Sequence, residues 1–197
     1  MNQALPKVYV VRHGETAWSL SGQHTGRTDL PLTEHGEQAA RALSARLHGS
    51  TFAEVLTSPL QRARRTGELA GFGATAVADP DLMEWGYGDY EGLRTADIRA
   101  HRPGWRLFED GCSGGETLAE VAARAERVIA RTRAIEGDVL VFAHGHILRI
   151  LIARWIALPA LEARRLHLAT ASVSVLGYDH DMEEPIIRSL NNACPTE

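Results

Sequence analysis

Two short β-branched runs stop on the same dipeptide. Lys7-Val-Tyr-Val-Val-Arg12 runs into His13-Gly14, and Asp138-Val-Leu-Val-Phe-Ala143 runs into His144-Gly145. Runs of this length and branching suit buried strands, and a glycine two places on allows an abrupt exit. Helical segments separate the strand-like ones. Thr33 stands where it can cap a helix with Glu34 and Glu37 in its first turn and an apolar stripe through Ala40, Leu43 and Leu47. Residues 54–58 read as a second strand, and Pro59 reads as a first-turn residue of a helix reaching about residue 70. Residues 75–78 suggest a third strand, 116 to about 135 a long helix and 147–157 another, with 172–178 and 186–190 as late strands at a sheet edge. The alternation predicts an α/β fold: a three-layer, mostly parallel central sheet with helices on both faces. At 197 residues the chain fits one domain, 1–197.

In open sheets of this kind ligands bind beyond the carboxyl ends of the strands. Both His-Gly pairs are predicted there, which brings His13 and His144 toward one site. Arg12 precedes His13, and Arg62 falls on the first turn of the helix after the second strand. Guanidinium groups bind phosphate oxygens through charge-assisted bonds, so Arg12, Arg62 and His144 outline a pocket for a dianion. A neutral imidazole with one nitrogen tied by a hydrogen bond is a competent nucleophile toward phosphorus, and His13, beside Gly14, has the better claim to that task. Residues 79–92 and 102–115 are dense in Gly, Pro, Trp and acids, which suits functional loops. Among them Glu84 is the candidate proton donor for a leaving alkoxide. Trp85 and Tyr87 would raise its pKa and the arginines would lower it.

The remaining composition mostly excludes. A formal net charge of −4 and a pI near 6.1 offer no broad positive field for nucleic acid or an anionic membrane. Cys112 and Cys194 have neither metal-ligand nor disulfide-framework spacing. His24, His35, His48, His101, His167 and His180 form no metal pattern, so no metal is expected. Without a long apolar run a cytoplasmic location is expected. A homo-oligomer remains open.

The motifs Arg12-His-Gly-Glu-Thr16, Thr25-Gly-Arg-Thr-Asp29, Leu32-Thr-x-x-Gly36 and Ser58-Pro-x-x-Arg62-Ala63-x-x-Thr66 resemble the histidine phosphatase superfamily in its phosphoglycerate-mutase-like branch. The match continues through Glu84, Tyr87-Gly-Asp-Tyr-Glu-Gly92 and His144-Gly145 and covers nearly the whole chain. It implies a phosphohistidine at His13, phosphate held by Arg12, Arg62 and His144, Glu84 as proton donor, and neither metal nor organic cofactor.

More narrowly, Glu84-Trp-Gly-Tyr-Gly-Asp-Tyr-Glu91 and His144-Gly-His-Ile-Leu-Arg149 resemble sedoheptulose-bisphosphatase-like enzymes and related acid phosphatases. That resemblance places His24, Thr25, Tyr87 and Arg149 around an outer pocket, Arg149 toward a second phosphate. His24 stands where similar sugar bisphosphatases often have Tyr, and Trp18-Ser19 where mutases usually have Trp-Asn. The expectation is a phosphomonoester hydrolase acting on a small phosphorylated metabolite such as a sugar phosphate or bisphosphate. A phosphoglycerate mutase is the alternative within the family. It is disfavoured because the stretch from Glu84 to His144 is short and Glu91 would repel a carboxylate. A non-catalytic phospho-ligand-binding module is the alternative from another class.

Overall fold

The computed structural model describes residues 5–193, and Cys194 lies outside the described residues. In chain order the elements are β1 (Val8–Arg12), α1 (Ala17–Ser21), α2 (Glu34–Leu47), β2 (Glu54–Thr57), α3 (Gln61–Leu69), β3 (Ala76–Ala78), α4 (Thr95–His101), α5 (Leu107–Asp110), α6 (Leu118–Arg133), β4 (Val139–Ala143), α7 (Gly145–Trp155), β5 (Val173–Tyr178) and β6 (Pro185–Asn192). The strands lie in the order β3-β2-β4-β1-β5-β6. The first four are mutually parallel, and β5 and β6 join antiparallel. The fold is therefore the expected α/β sheet, with one change of place. β5 pairs directly with β1 in the interior, and only β6 occupies the edge.

Alternation along the strands divides the core into two layers. Val8 and Val10 of β1 and Val139 and Val141 of β4 pack with α6 and α7. Val11, Leu140 and Phe142 point the other way, onto Leu43 and Leu47 of α2. All five residues of β4 are buried, as a strand covered on both faces requires. Among the described residues no helix is long and apolar enough to cross a membrane.

Helix starts follow the sequence closely where a side chain caps them. Thr33 accepts from the Gly36 backbone N–H, and Thr117 and Glu120 form a reciprocal capping box at α6. Pro59 does not sit in the first turn of α3, because the cap is Leu60 and the helix opens at Gln61. The short α1 has no counterpart in the apolar periodicity of the sequence. Thr16 and Ser19 close a capping box there within a single turn.

The loop carrying the first His-Gly pair lies against the start of α2. A Cβ built on Gly36 would sit 2.2 Å from the Glu15 carbonyl oxygen, and one on Gly14 2.5 Å from the Gly36 oxygen. Both obstacles are backbone, so neither can swing aside. Gly36→Ala is expected to destabilise the protein by about 1–3 kcal/mol despite alanine's better helix propensity. A lower denaturation midpoint at unchanged m-value checks this.

Candidate active site

Strand register brings the two histidines together. Arg12 is level with Ala143 across the parallel β1–β4 pair, so His13 and His144 leave adjacent strand ends at the same height. Their ring centroids are 5.1 Å apart.

His13 is buried, and its Nδ1 lies 2.7 Å from the Gly14 carbonyl oxygen. A carbonyl only accepts, so Nδ1 carries the proton and Nε2 keeps the lone pair. Burial first, then the charges of Arg12 and Arg62, lower the His13 pKa to about 3. The imidazole is thus neutral across the physiological range.

Arg62 is also fully buried, and most of its donors are spent. Its Nε donates to His144 Nδ1 at 3.0 Å, Nη1 to the Thr28 carbonyl, and Nη2 to those of Thr25 and Gly26. With Nδ1 accepting, His144 is protonated at Nε2 and donates to Ser58 Oγ at 2.7 Å. Burial and the Arg62 charge hold its pKa well below the ordinary value. Arg62 therefore ties the 25–28 loop to the end of β4 and acts on His13 through its charge, with one Nη1 hydrogen uncommitted.

An inner cavity of about 120 Å³ opens in front of His13, with Arg12, Ser19, Gln23, His24, Thr25, Glu84, Tyr87, Gly145, His146, Arg149 and His167 in its wall. Arg62 and His144 stand behind that wall. Arg12 gives one Nη1 hydrogen to the Leu168 carbonyl at 2.5 Å, while its buried Nε finds no protein partner. His24 Nε2 is likewise buried and unpartnered. Burial, and the neighbouring His146, lower the His24 pKa to about 4. The cavity thus presents guanidinium donors and neutral imidazoles, the requirements for binding a small anion.

Glu84 faces this cavity at the first turn of α7. Its carboxylate accepts from the backbone N–H groups of Trp85, His146 and Ile147 at 3.0–3.1 Å. Burial by itself would raise its pKa. The His146 ring 3.8 Å away and the backbone N–H bonds outweigh that and hold it well below the usual carboxylate range. The competition that the sequence left open between apolar neighbours and positive charge therefore resolves toward the anion, through amides with no sequence signature.

The segment bearing Glu84 is itself braced. Arg124 of α6 donates to the carbonyls of Asp81, Met83 and Glu84, and pairs with Glu116 at 2.8 Å. Glu116 in turn accepts from the Gly86 N–H at 2.7 Å. Neither residue was anticipated, and Arg124 carries no local signal because it lies on the buried face of a long helix.

The substrate-side candidates meet in one place. His24, Thr25, Tyr87 and Arg149 all line the inner cavity. His146, unassigned from sequence, joins them, and its Nδ1 lies 2.6 Å from the Tyr87 hydroxyl. Burial keeps the Tyr87 pKa well above its ordinary value, so the phenol stays protonated and shares one hydrogen bond with His146 Nδ1. The His-Gly-His triplet was the available signal. Glu91 requires a correction: its carboxylate accepts from the Gly26 and Thr28 N–H groups at 2.6 and 3.0 Å and lines neither the inner cavity nor its outer extension. It shapes a loop and does not repel a substrate carboxylate, so it is no argument against mutase chemistry.

Among the described residues one cluster has three metal-capable side chains, Asp179, His180 and Glu184. It is exposed and follows β5, which runs antiparallel to β1, so it lies at the end of the sheet opposite His13.

A parallel sheet whose strand ends present a neutral, tautomer-locked imidazole, buried guanidiniums and a helix-bound carboxylate belongs to a phosphoryl-transfer protein. The chain is a member of the histidine phosphatase superfamily (branch 1), whose family model matches residues 8–193. It is 38% identical over 189 residues to an acid phosphatase of Mycobacterium tuberculosis, covering 93% of this chain and 92% of the relative. It is 39% identical over 214 residues to sedoheptulose 1,7-bisphosphatase of Saccharomyces cerevisiae, covering 92% and 78%. It is 33% identical over 184 residues to a probable phosphoglycerate mutase of Photorhabdus laumondii, covering 88% and 86%. The solved structure of open reading frame Rv3214 from M. tuberculosis superposes with a TM-score of 0.88 at 36% identity, covering 95% of this chain and 98% of that one.

Proposed function

We propose that the chain is a phosphomonoester hydrolase working through a phosphohistidine at His13 on a small phosphorylated metabolite, a sugar phosphate or bisphosphate. The observation that carries this reading is the Nδ1–H bond from His13 to Gly14, which leaves Nε2 as the free lone pair beside Arg12 and Glu84.

In the first half-reaction Nε2 attacks phosphorus as the phosphorus–alkoxide bond breaks. Arg12 steadies the equatorial oxygens, with Arg62 adding charge from behind. The leaving oxygen takes a proton from Glu84. Free Glu84 is an anion, but an arriving phosphate dianion repels that charge and raises its pKa, which favours the protonated form when substrate is bound. In the second half-reaction Glu84 accepts a proton from water as the water oxygen bonds to phosphorus. The nitrogen–phosphorus bond then breaks and the lone pair returns to His13.

The phosphatase and bisphosphatase relatives support hydrolysis on a sugar-sized ester, and the probable mutase relatives keep phosphoglycerate isomerisation as the alternative. Phosphate release with a chelator present, from an aryl phosphate, sugar mono- and bisphosphates and 3-phosphoglycerate, is the test. Release independent of metal is expected. Exchange of phosphoglycerate isomers without release would replace the hydrolase by a mutase.

A further inference from the structure

Glu84 is held from two directions. Its carboxylate meets amides in the first turn of α7, while the chain on either side of it is gripped from behind by Glu116 and Arg124, neither of which lines the cavity. Residues 84–87 belong to no strand or helix, so side chains must fix their place.

The grip converges on one carboxylate. Glu116 stands directly before Thr117, the cap of α6. Its Oε1 accepts from Arg124 Nε at 2.8 Å, and its Oε2 from Arg124 Nη2 at 2.9 Å, the Gly86 N–H at 2.7 Å and Arg27 Nη2 at 3.1 Å. Its backbone adds a second hold: the N–H donates to the Gly86 carbonyl at 2.8 Å, and the carbonyl accepts from the Trp85 indole at 2.8 Å. Arg124 secures the chain before the acid, donating from Nη1 to the Asp81 and Met83 carbonyls at 2.7 and 2.8 Å. Glu116 secures the chain after it. Arg27 joins the same oxygen to the 25–28 loop, whose carbonyls accept from Arg62.

A group that gives a proton in one half-reaction and takes one in the next must keep its oxygens in place through both, and a misplacement of about 1 Å can cost about 10²-fold. We propose that Glu116, with Arg124 as its counter-ion, is the positioning residue for proton transfer by Glu84. It rests on the hydrolase reading of the site and adds to it the residue through which the acid-bearing segment is fixed. Glu116 touches neither substrate nor the reacting atoms, so its effect passes entirely through Glu84.

The test is a double-mutant cycle between the two residues. Glu116→Gln keeps the side chain's size, but its NH₂ end cannot accept from Gly86 or a guanidinium. Alone it should lower kcat on an alkyl phosphate about 10–10²-fold with KM changed less than about twofold. On an aryl phosphate the burst should keep its rate while steady-state turnover slows. In a Glu84→Gln background the same substitution should change kcat less than about twofold, because no proton transfer remains to be misplaced. Equal fold losses in both backgrounds, burst and steady state slowed alike, or full activity in Glu116→Gln would each overturn the assignment. Should Glu116→Gln melt below the assay temperature, Arg124→Lys carries the same cycle, since it keeps the charge and loses the bidentate pairing. Failure of the hydrolase reading looks different. Exchange of phosphoglycerate isomers without phosphate release in the wild type removes hydrolysis and leaves the cycle to be read on the exchange rate, whereas neither release nor exchange overturns both.

Discussion

His13→Ala is expected to lose about four orders of magnitude or more in kcat while retaining its fold and its affinity for phosphate esters. The imidazole beside it cannot replace it. His144 is the nearest, but both its ring nitrogens are occupied, one by Arg62 and one by Ser58. His146 is tied at Nδ1 to the Tyr87 hydroxyl and lies 3.8 Å from Glu84. Trapping with labelled substrate checks the assignment: wild type should carry an acid-labile, base-stable phosphoryl group, and the variant none. Retention of label in the variant would remove His13 as the nucleophile.

The same substitution has a thermodynamic signature. The His13 pKa is about 3 in the folded protein against 6.5 for an ordinary histidine. Between those values the unfolded chain binds a proton that the folded one does not. His13 therefore costs no stability above pH 6.5, and subtracts progressively as pH falls toward 3, by at most about 1.4 kcal/mol per pH unit. His13→Ala should show a shallower loss of stability across that window in denaturant titrations at successive pH values.

Glu84→Gln is expected to slow hydrolysis of an alkyl phosphate by about 10²–10⁴-fold. An aryl phosphate, whose leaving group needs no proton, should respond differently. Phosphorylation of His13 should stay fast and the second half-reaction should stall, giving a burst of phenolate equal to the enzyme followed by slow turnover. Equal slowing of burst and steady state would exclude a proton-transfer role for Glu84. The variant should also be less stable at neutral pH. A carboxylate whose folded pKa lies below its unfolded value stabilises the fold above the unfolded pKa, and that stabilisation is lost as pH falls through the folded one. Glutamine carries no charge for the first turn of α7.

The contrast between Arg62 and Arg124 shows how far residue patterns reach. Arg62 belongs to a compact motif at the start of a helix, so its place near His13 could be read directly. That four of its hydrogens go to His144 and the 25–28 loop could not, because the acceptors are backbone carbonyls delivered by distant folding. Arg124 has the same character without a motif and was invisible. Glu91 was misread for the converse reason: a carboxylate looks alike in sequence whether it meets a substrate or two loop amides.

By itself the sequence determined the alternating α/β architecture, the cap at Thr33, the two strands ending in His-Gly and the family, since periodicity, capping and short motifs are local properties. Only the tertiary structure decided the placement of β5 beside β1, the ionised state of Glu84 and the inclusion of His146. Each of these depends on which amide, carbonyl or charge meets a side chain across the sheet register and the loops above it, and such pairings are fixed by long-range packing and burial.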